Sequence, residues 1–236
     1  MGQGTLVVGT ITRDFVRSPA IALDGVMGGS ASYFALAARH FGPVTVVAPV
    51  GRDVEPEARA TLAFADLRAL SVMDAPTYQW HARRETPSGD AQTIRRFIGA
   101  SDGYRPAVDH AATWAPVVFL GSCDPVAQLD VAAAAPRGAL LAADTMDIFI
   151  QQQRSEVGRV LAASRILLAT DLEIHLLADG ETEAPASLVM ARFGLDCVVV
   201  KRGEGGAELW TRTEIHELSA YPVEAIDPTG AGDALA

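Results

Sequence analysis

The sequence predicts an α/β fold: a mostly parallel sheet flanked by helices on both faces, with a small β layer beside it. Three observations lead there. Short apolar runs that end in small residues alternate with segments of helical period, the pattern of strand–helix units wound into one sheet. The stretch from Tyr78 to Ile98 breaks that rhythm with two half-exposed alternating strands around a polar loop. At 236 residues and 49% hydrophobic content, the chain is long enough for one large core.

Composition narrows the function. The net charge is −10 and no basic block occurs, which argues against nucleic acid or an anionic membrane as partner. No apolar stretch approaches membrane-spanning length. The opening Met1–Thr5 lacks the basic and apolar segments of a signal peptide, so a cytoplasmic protein is expected. Cys123 and Cys197 lie far apart without metal or redox spacing and read as reduced structural thiols. Lys201 is the only lysine, and it falls beside a Gly-rich turn.

In chain order, Leu6–Thr10 reads as a buried first strand. Asp14 follows at once. It reads either as a surface turn or as a ligand residue, because open α/β sheets bind ligands beyond the C-terminal strand ends. Ile21–Asp24 is expected as one strand of a small sheet. Gly28-Gly29 then leads into a helix from Ala31 to Phe41, with Phe34, Ala37, Ala38 and Phe41 on its apolar face, Ser30 as cap and Gly42 as stop. A helix is expected over Glu55–Leu67 and a strand over Leu70–Met73. Tyr78–Arg83 and Thr93–Ile98 alternate as strands around the Glu85–Gln92 loop, and their His81, Arg83, Arg95 and Arg96 either reach a ligand or form solvated faces.

Val117–Ser122 is a core strand ending at Cys123-Asp124-Pro125, which puts Asp124 at another strand end. A helix over Val126–Ala134, a strand over Ala139–Ala143, a helix over Ser155–Ala163 and a strand over Arg165–Ala169 continue the alternation. Thr170-Asp171-Leu172-Glu173 opens a short helix carrying His175. Ala184–Phe193 is helical and Gly194 closes it. Cys197–Val200 is a core strand, and Lys201 to Ala207 is a turn containing Gly203, Gly205 and Gly206. A hairpin through Glu208–Trp210 and Ile215–Val223 delivers the chain to Asp227-Pro228-Thr229-Gly230-Ala231-Gly232-Asp233. Small residues there let the backbone approach a ligand, and successive N–H groups at a helix start suit an anion. A carboxylate at Asp233 repels a phosphate but is well placed to take a proton from a hydroxyl attacking one.

That terminal stretch resembles the C-terminal signature of the PfkB carbohydrate kinases, also called the ribokinase family. Gly28-Gly29, the helix after it and Val44–Asp53 resemble the N-terminal signature. The resemblance covers essentially the whole chain. It implies a single ribokinase-like α/β domain over residues 1–236, with lid segments at about 12–27 and 76–100. It also implies phosphoryl transfer from ATP, with Mg²⁺, to a hydroxyl of a sugar, polyol or nucleoside. Asp233 then acts as general base, and the N–H groups of Gly230, Ala231 and Gly232 stabilise the transferring charge. Asp14, Gly28, Gly29 and Asp124 hold the substrate. A carboxylate such as Asp14 accepts two hydroxyl hydrogen bonds.

On the nucleotide side, the resemblance implies Lys201, as a mobile cation, together with Gly203 and Gly206. Glu173 organises Mg²⁺ through water, with Thr170 where the family usually has Asn. Asp227 and the Thr229 carbonyl resemble a monovalent-cation site, which would take K⁺. The exposed lid strands fit a homodimer. Tyr33 stands where many sugar kinases carry an Asn that contacts the sugar, which leaves room for less usual acceptors.

The chain stops three residues after Asp233. Family members continue with helices that complete the adenine pocket, so the resemblance implies a sequence lacking its C-terminal end, and a few residues cannot make a helix alone. The alternative function is a truncated, non-catalytic relative that binds a sugar or nucleotide. A dinucleotide-binding dehydrogenase is disfavoured, because Gly9-Thr10-Ile11-Thr12 is not a Gly-x-Gly-x-x-Gly turn opening a helix.

Overall fold

The computed structural model describes residues 4–108, 115–180 and 183–236. The Met1–Gln3 start of the opening stretch lies outside them. The first half of the chain gives β1 (Thr5–Val8), β2 (Thr12–Arg17), β3 (Val26–Gly28), α1 (Ser30–Ala38), β4 (Val44–Gly51), α2 (Glu55–Thr61), β5 (Leu70–Met73), β6 (Tyr78–Arg83) and β7 (Gln92–Phe97). The middle gives β8 (Val117–Leu120), α3 (Pro125–Ala134), β9 (Leu140–Asp144), α4 (Asp147–Gln152), α5 (Arg154–Ala163), β10 (Ile166–Thr170) and α6 (Asp171–Ala178). The last part gives α7 (Pro185–Phe193), β11 (Cys197–Lys201), β12 (Ala207–Thr211), β13 (Ile215–Leu218) and α8 (Ala231–Leu235).

The strands form two sheets. The large one has the order β13-β12-β11-β10-β9-β8-β1-β4-β5. From β11 to β5 every pairing is parallel, and β12 and β13 add an antiparallel edge. The small sheet has the order β3-β2-β6-β7. This is the mostly parallel, helix-flanked architecture that the apolar runs predict, with the lid strands in a sheet of their own.

The runs are continuous because both faces of the large sheet are covered. Leu6, Val8, Leu120 and Leu167 face one core, with Val131 of α3, Leu161 of α5, Leu177 of α6 and Val189 of α7. Val7, Val46, Phe119 and Leu168 face the other, with Phe34 of α1 and Ala58 of α2. Phe34 stacks on Phe119 with ring centroids 4.3 Å apart, so α1 is fixed to the middle of the sheet. Truncating a buried Phe of this kind costs about 3–5 kcal/mol. The lid is pinned where β4 ends: Asp53 Oδ1 accepts from the Thr77 N–H at 3.0 Å and from Thr77 Oγ1 at 2.8 Å.

Several local expectations change. Of the two readings open for Asp14, burial inside β2 removes the surface turn. Within Ile21–Asp24 only Ala22 makes a bridge, to Arg17, and the strand comes at Val26–Gly28. Gly25, at φ 72°, turns the chain before pairing begins. Helix α1 starts at Ser30 itself with Gly29 as its N-cap, and ends at Ala38 rather than Phe41. Phe41 is 93% exposed. The chain leaves the helix in a tight turn ahead of Gly42-Pro43, since a residue before proline is steered away from helix. Helix α2 ends at Thr61, short of Leu67. Helix α4 was not legible as a separate element.

Candidate active site

The strand ends of the large sheet and the lid line a cleft of about 880 Å³. This is where an open α/β sheet places its ligands. Thr10, Ser122, Asp124, Asp144 and Lys201 come from the strand ends. Tyr78, Trp80, Arg84 and Arg96 come from the lid, and residues of the Pro228–Asp233 turn complete the wall.

Helix α8 starts at Gly230, which is left-handed at φ 78°. A Cβ there would overlap the Tyr33 ring, so glycine is what lets α1 and the terminal turn meet. The Tyr33 phenol pKa is pushed up by burial and by the charges of Asp14, Asp227 and Asp233. The Ala231 N–H donates to the Pro228 carbonyl at 3.0 Å. It is thus committed within the turn, which corrects its expected role toward a ligand. The Gly230 and Gly232 N–H groups have no such acceptor among the described residues.

Asp233 stands on the first turn of α8. Its pKa is pushed up to about 7, first by burial and then by Asp144; Lys201 opposes, and Asp14 and Glu173 add to the rise. A carboxylate poised near neutrality can accept a proton at working pH.

Lys201 ends β11 and reaches past β10 to Asp144 at the end of β9. Its Nζ donates to Asp144 Oδ2 at 2.6 Å, and the two side chains are only 10% and 3% exposed. Burial pulls the lysine pKa down, but Asp144, Glu173 and Asp233 more than offset it. The expected mobile cation is therefore an anchored one. It lies against the terminal turn, with Nζ 3.7 Å from where a Gly232 Cβ would stand.

Asp14 accepts a hydrogen bond from Thr12 Oγ1 at 2.6 Å. Burial pushes its pKa up to about 6, with Thr12 opposing and Asp227 adding. Gly28 makes room for it, since a Cβ there would overlap the carboxylate. Gly29, at φ 98°, starts α1 against the Thr10 carbonyl. Asp124 is on the cleft wall, but its Oδ1 accepts from the Val126 N–H at 2.8 Å and caps α3.

Thr170 and Glu173 form a reciprocal capping box at the start of α6. The Thr170 N–H donates to Glu173 Oε2 at 2.7 Å, and the Glu173 N–H to Thr170 Oγ1 at 3.3 Å. Helix initiation therefore accounts for this pair at this spacing. Burial, then Asp144, pushes the Glu173 pKa up.

Gly203 and Gly206 do not line the cleft. They shape the β11–β12 turn with φ 55° and 88°, and a Cβ at Gly206 would overlap the Leu218 carbonyl. Of His81, Arg83, Arg95 and Arg96, Arg96 alone lines the cleft. His81 instead stacks on Phe15, with centroids 4.4 Å apart, and Arg95 lies over Phe97.

Two functional candidates were missed. Asp144 had the same signal as Asp124, an acid at a strand end, without being singled out. Arg84 had none, since it is one residue past an alternating strand. It is 8% exposed and donates to the Gly89 carbonyl at 2.5 Å and to Thr229 Oγ1 at 3.2 Å. Its Nε lies 3.8 Å from Asp227 Oδ1, which also accepts from the Thr229 N–H and hydroxyl. A guanidinium therefore already supplies positive charge beside Asp227.

The pfkB family carbohydrate kinase model matches residues 25–236. An ATP-dependent ribose-1-phosphate kinase of Halopiger xanaduensis is 38% identical over 81 residues, which are 34% of this chain and 26% of that protein, so the match spans about a quarter of its length. A protein of E. coli assigned as ribokinase II, solved with ATP and Mg²⁺, aligns with a TM-score of 0.79 and 22% identity over 98% of this chain and 83% of that one. A Burkholderia thailandensis nucleoside kinase, solved with ADP and inosine, aligns with a TM-score of 0.76 and 19% identity over 98% and 79%.

Proposed function

The chain belongs to the pfkB family of carbohydrate kinases, and from that premise we propose that it transfers the γ-phosphate of ATP to a hydroxyl of a sugar or nucleoside, with Asp233 as general base. The observation that carries this reading is Asp233 itself. It is a carboxylate on the cleft wall, raised to about 7, beside the N–H groups of the terminal turn. The ribose-1-phosphate kinase and nucleoside kinase relatives support the acceptor class.

In this reading Asp14, oriented by Thr12, accepts hydrogen bonds from acceptor hydroxyls. Asp233 takes the proton of the attacking hydroxyl. The Gly230 and Gly232 N–H groups stabilise charge on the transferring oxygens, and the Lys201 ammonium, held by Asp144, adds fixed positive charge beside them. Asp124 positions α3 and offers its remaining oxygen to the cleft.

The donor set fits a Mg²⁺ ion held through water. Among the described residues no group of three or more His, Cys, Asp or Glu makes a metal cage. Mg²⁺ keeps several waters and binds through one or two carboxylates plus substrate phosphates; Glu173 is set back from the cleft wall, and its oxygen that the capping box does not use would reach the ion through such water. When bound, the ion would neutralise phosphate charge.

The test is ADP release from Mg-ATP with a panel of pentoses, hexoses, sugar phosphates and nucleosides. Turnover with a panel member, lost in Asp233→Asn while ATP still binds, is the expected result. Equal turnover in the variant would remove Asp233 as base. ATP and acceptor binding without turnover in either protein would favour a binding protein over an enzyme.

A further inference from the structure

The cleft's lid wall holds a cation that no carboxylate of the described residues neutralises. Arg96 is on β7, opposite Trp80 of β6. It lines the cleft, and its charge reaches the Tyr78 ring, whose pKa burial raises, Arg96 lowers and Asp14 raises. Asp14 and Arg96 therefore both border the same space.

No carboxylate of the described residues pairs with Arg96, in a chain whose net charge is −10. Most of the other arginines of the described residues do have acidic partners. Arg96 Nη2 donates to Thr93 Oγ1 at 3.3 Å, while its Nε is buried with no acceptor. Arg84, on the same wall, is already engaged with Gly89, Thr229 and Asp227. A buried donor left unsatisfied is costly. A cleft-lining guanidinium left with one long bond to a neutral hydroxyl indicates that a bound molecule supplies the acceptors. A neutral hydroxyl could accept one such bond, but it would leave the charge uncompensated. A planar or tetrahedral anion matches both the fork geometry and the charge.

We propose that the phosphate acceptor of this kinase carries an anionic substituent, a phosphate monoester or a carboxylate, and that Arg96 is the residue that selects it. This rests on the kinase reading. Asp14 takes the hydroxyl-bearing part of the acceptor, and Arg96 takes the anionic part. The two opposite charges bordering the cleft thus fix the acceptor's direction, so that a hydroxyl rather than the anion meets Asp233.

The test is calorimetric binding to the full chain, which needs no turnover. Matched pairs are compared: ribose with ribose 1-phosphate and ribose 5-phosphate, fructose with fructose 6-phosphate, and glucose with gluconate. One anionic member is expected to bind at least about tenfold more tightly than its neutral partner, the scale of one charge-assisted bidentate contact. The phosphate and carboxylate arms tell which anion it is. Arg96→Ala is expected to abolish that preference while leaving ATP binding and Tm unchanged, and Arg96→Lys to restore part of it. The inference is overturned if no anionic compound outbinds its neutral partner, or if Arg96→Ala weakens both alike. ADP release with a neutral acceptor and no anion preference would overturn this inference alone. Anion preference without ADP release would count against the kinase reading and leave the Arg96 site standing.

Discussion

Lys201 and Asp144 form a buried ion pair at 2.6 Å, reaching past β10 from β11 to β9. The only lysine of the chain is therefore fixed by an acid 57 residues away. Removing one side of such a pair leaves an uncompensated buried charge. Asp144→Ala is expected to lose about 3–5 kcal/mol in urea unfolding. The double variant Asp144→Ala/Lys201→Met is expected to recover part of it. If the two single losses simply added, the pair would not be coupled.

Asp233 sets the acid limb of activity. A general base must be deprotonated to work, and burial with Asp144 raises this one to about 7. In wild type, kcat/KM is expected to rise with pH through an apparent pKa near 7, because this ratio reports the free enzyme. Asp233→Asn is expected to lose about 10²–10⁴ of turnover. A pH-independent profile from 5 to 8 would count against the assignment.

The same shift has a stability consequence. A carboxyl whose folded pKa lies above its unfolded value favours folding below the unfolded pKa of 3.8, and that contribution is lost as pH rises to about 7. Near pH 8 wild type therefore carries the penalty of a partly buried carboxylate, while Asp233→Asn does not. The variant is expected to be about 1–2 kcal/mol more stable there, roughly 2–8 °C in Tm. Below pH 4 the difference should vanish. A variant equally or less stable at pH 8 would contradict this.

Thr170 caps α6, and this separates a structural role from one toward metal. Thr170→Ala is expected to cost about 1 kcal/mol, and Thr170→Asn, another good cap, almost nothing. Unfolding midpoints in urea check both. Equal losses in the two variants would mean that the cap is not what the position contributes.

Arg84 brings its guanidinium to Thr229 and Asp227. Turnover is expected to be indifferent to replacing K⁺ by Na⁺ or tetramethylammonium at constant ionic strength. Strong K⁺ activation of wild type would show that the guanidinium does not take the ion's place.

The sequence by itself determined what depends on neighbours along the chain. Val7 faces one core and its neighbours Leu6 and Val8 the other, the local pattern of a doubly covered strand, from which the parallel sheet was legible. The closely spaced residues of Gly28-Gly29 and Asp227–Asp233 carried the family, because both signatures are contiguous. Boundaries were less legible: Phe41 kept the helical period but is exposed, since turn chemistry before Pro43 overrode the pattern. Only the tertiary structure decided the charges of the site. Asp14, open between a surface turn and a ligand residue, is a buried acid because β2 belongs to the lid sheet. Lys201 was anchored because β9 and β11 flank β10 in the sheet order. Arg84 reached Thr229 across 145 residues because the lid meets the terminal turn. Burial and Coulomb interaction depend on distance in space, and the order of strands in the sheet sets that distance.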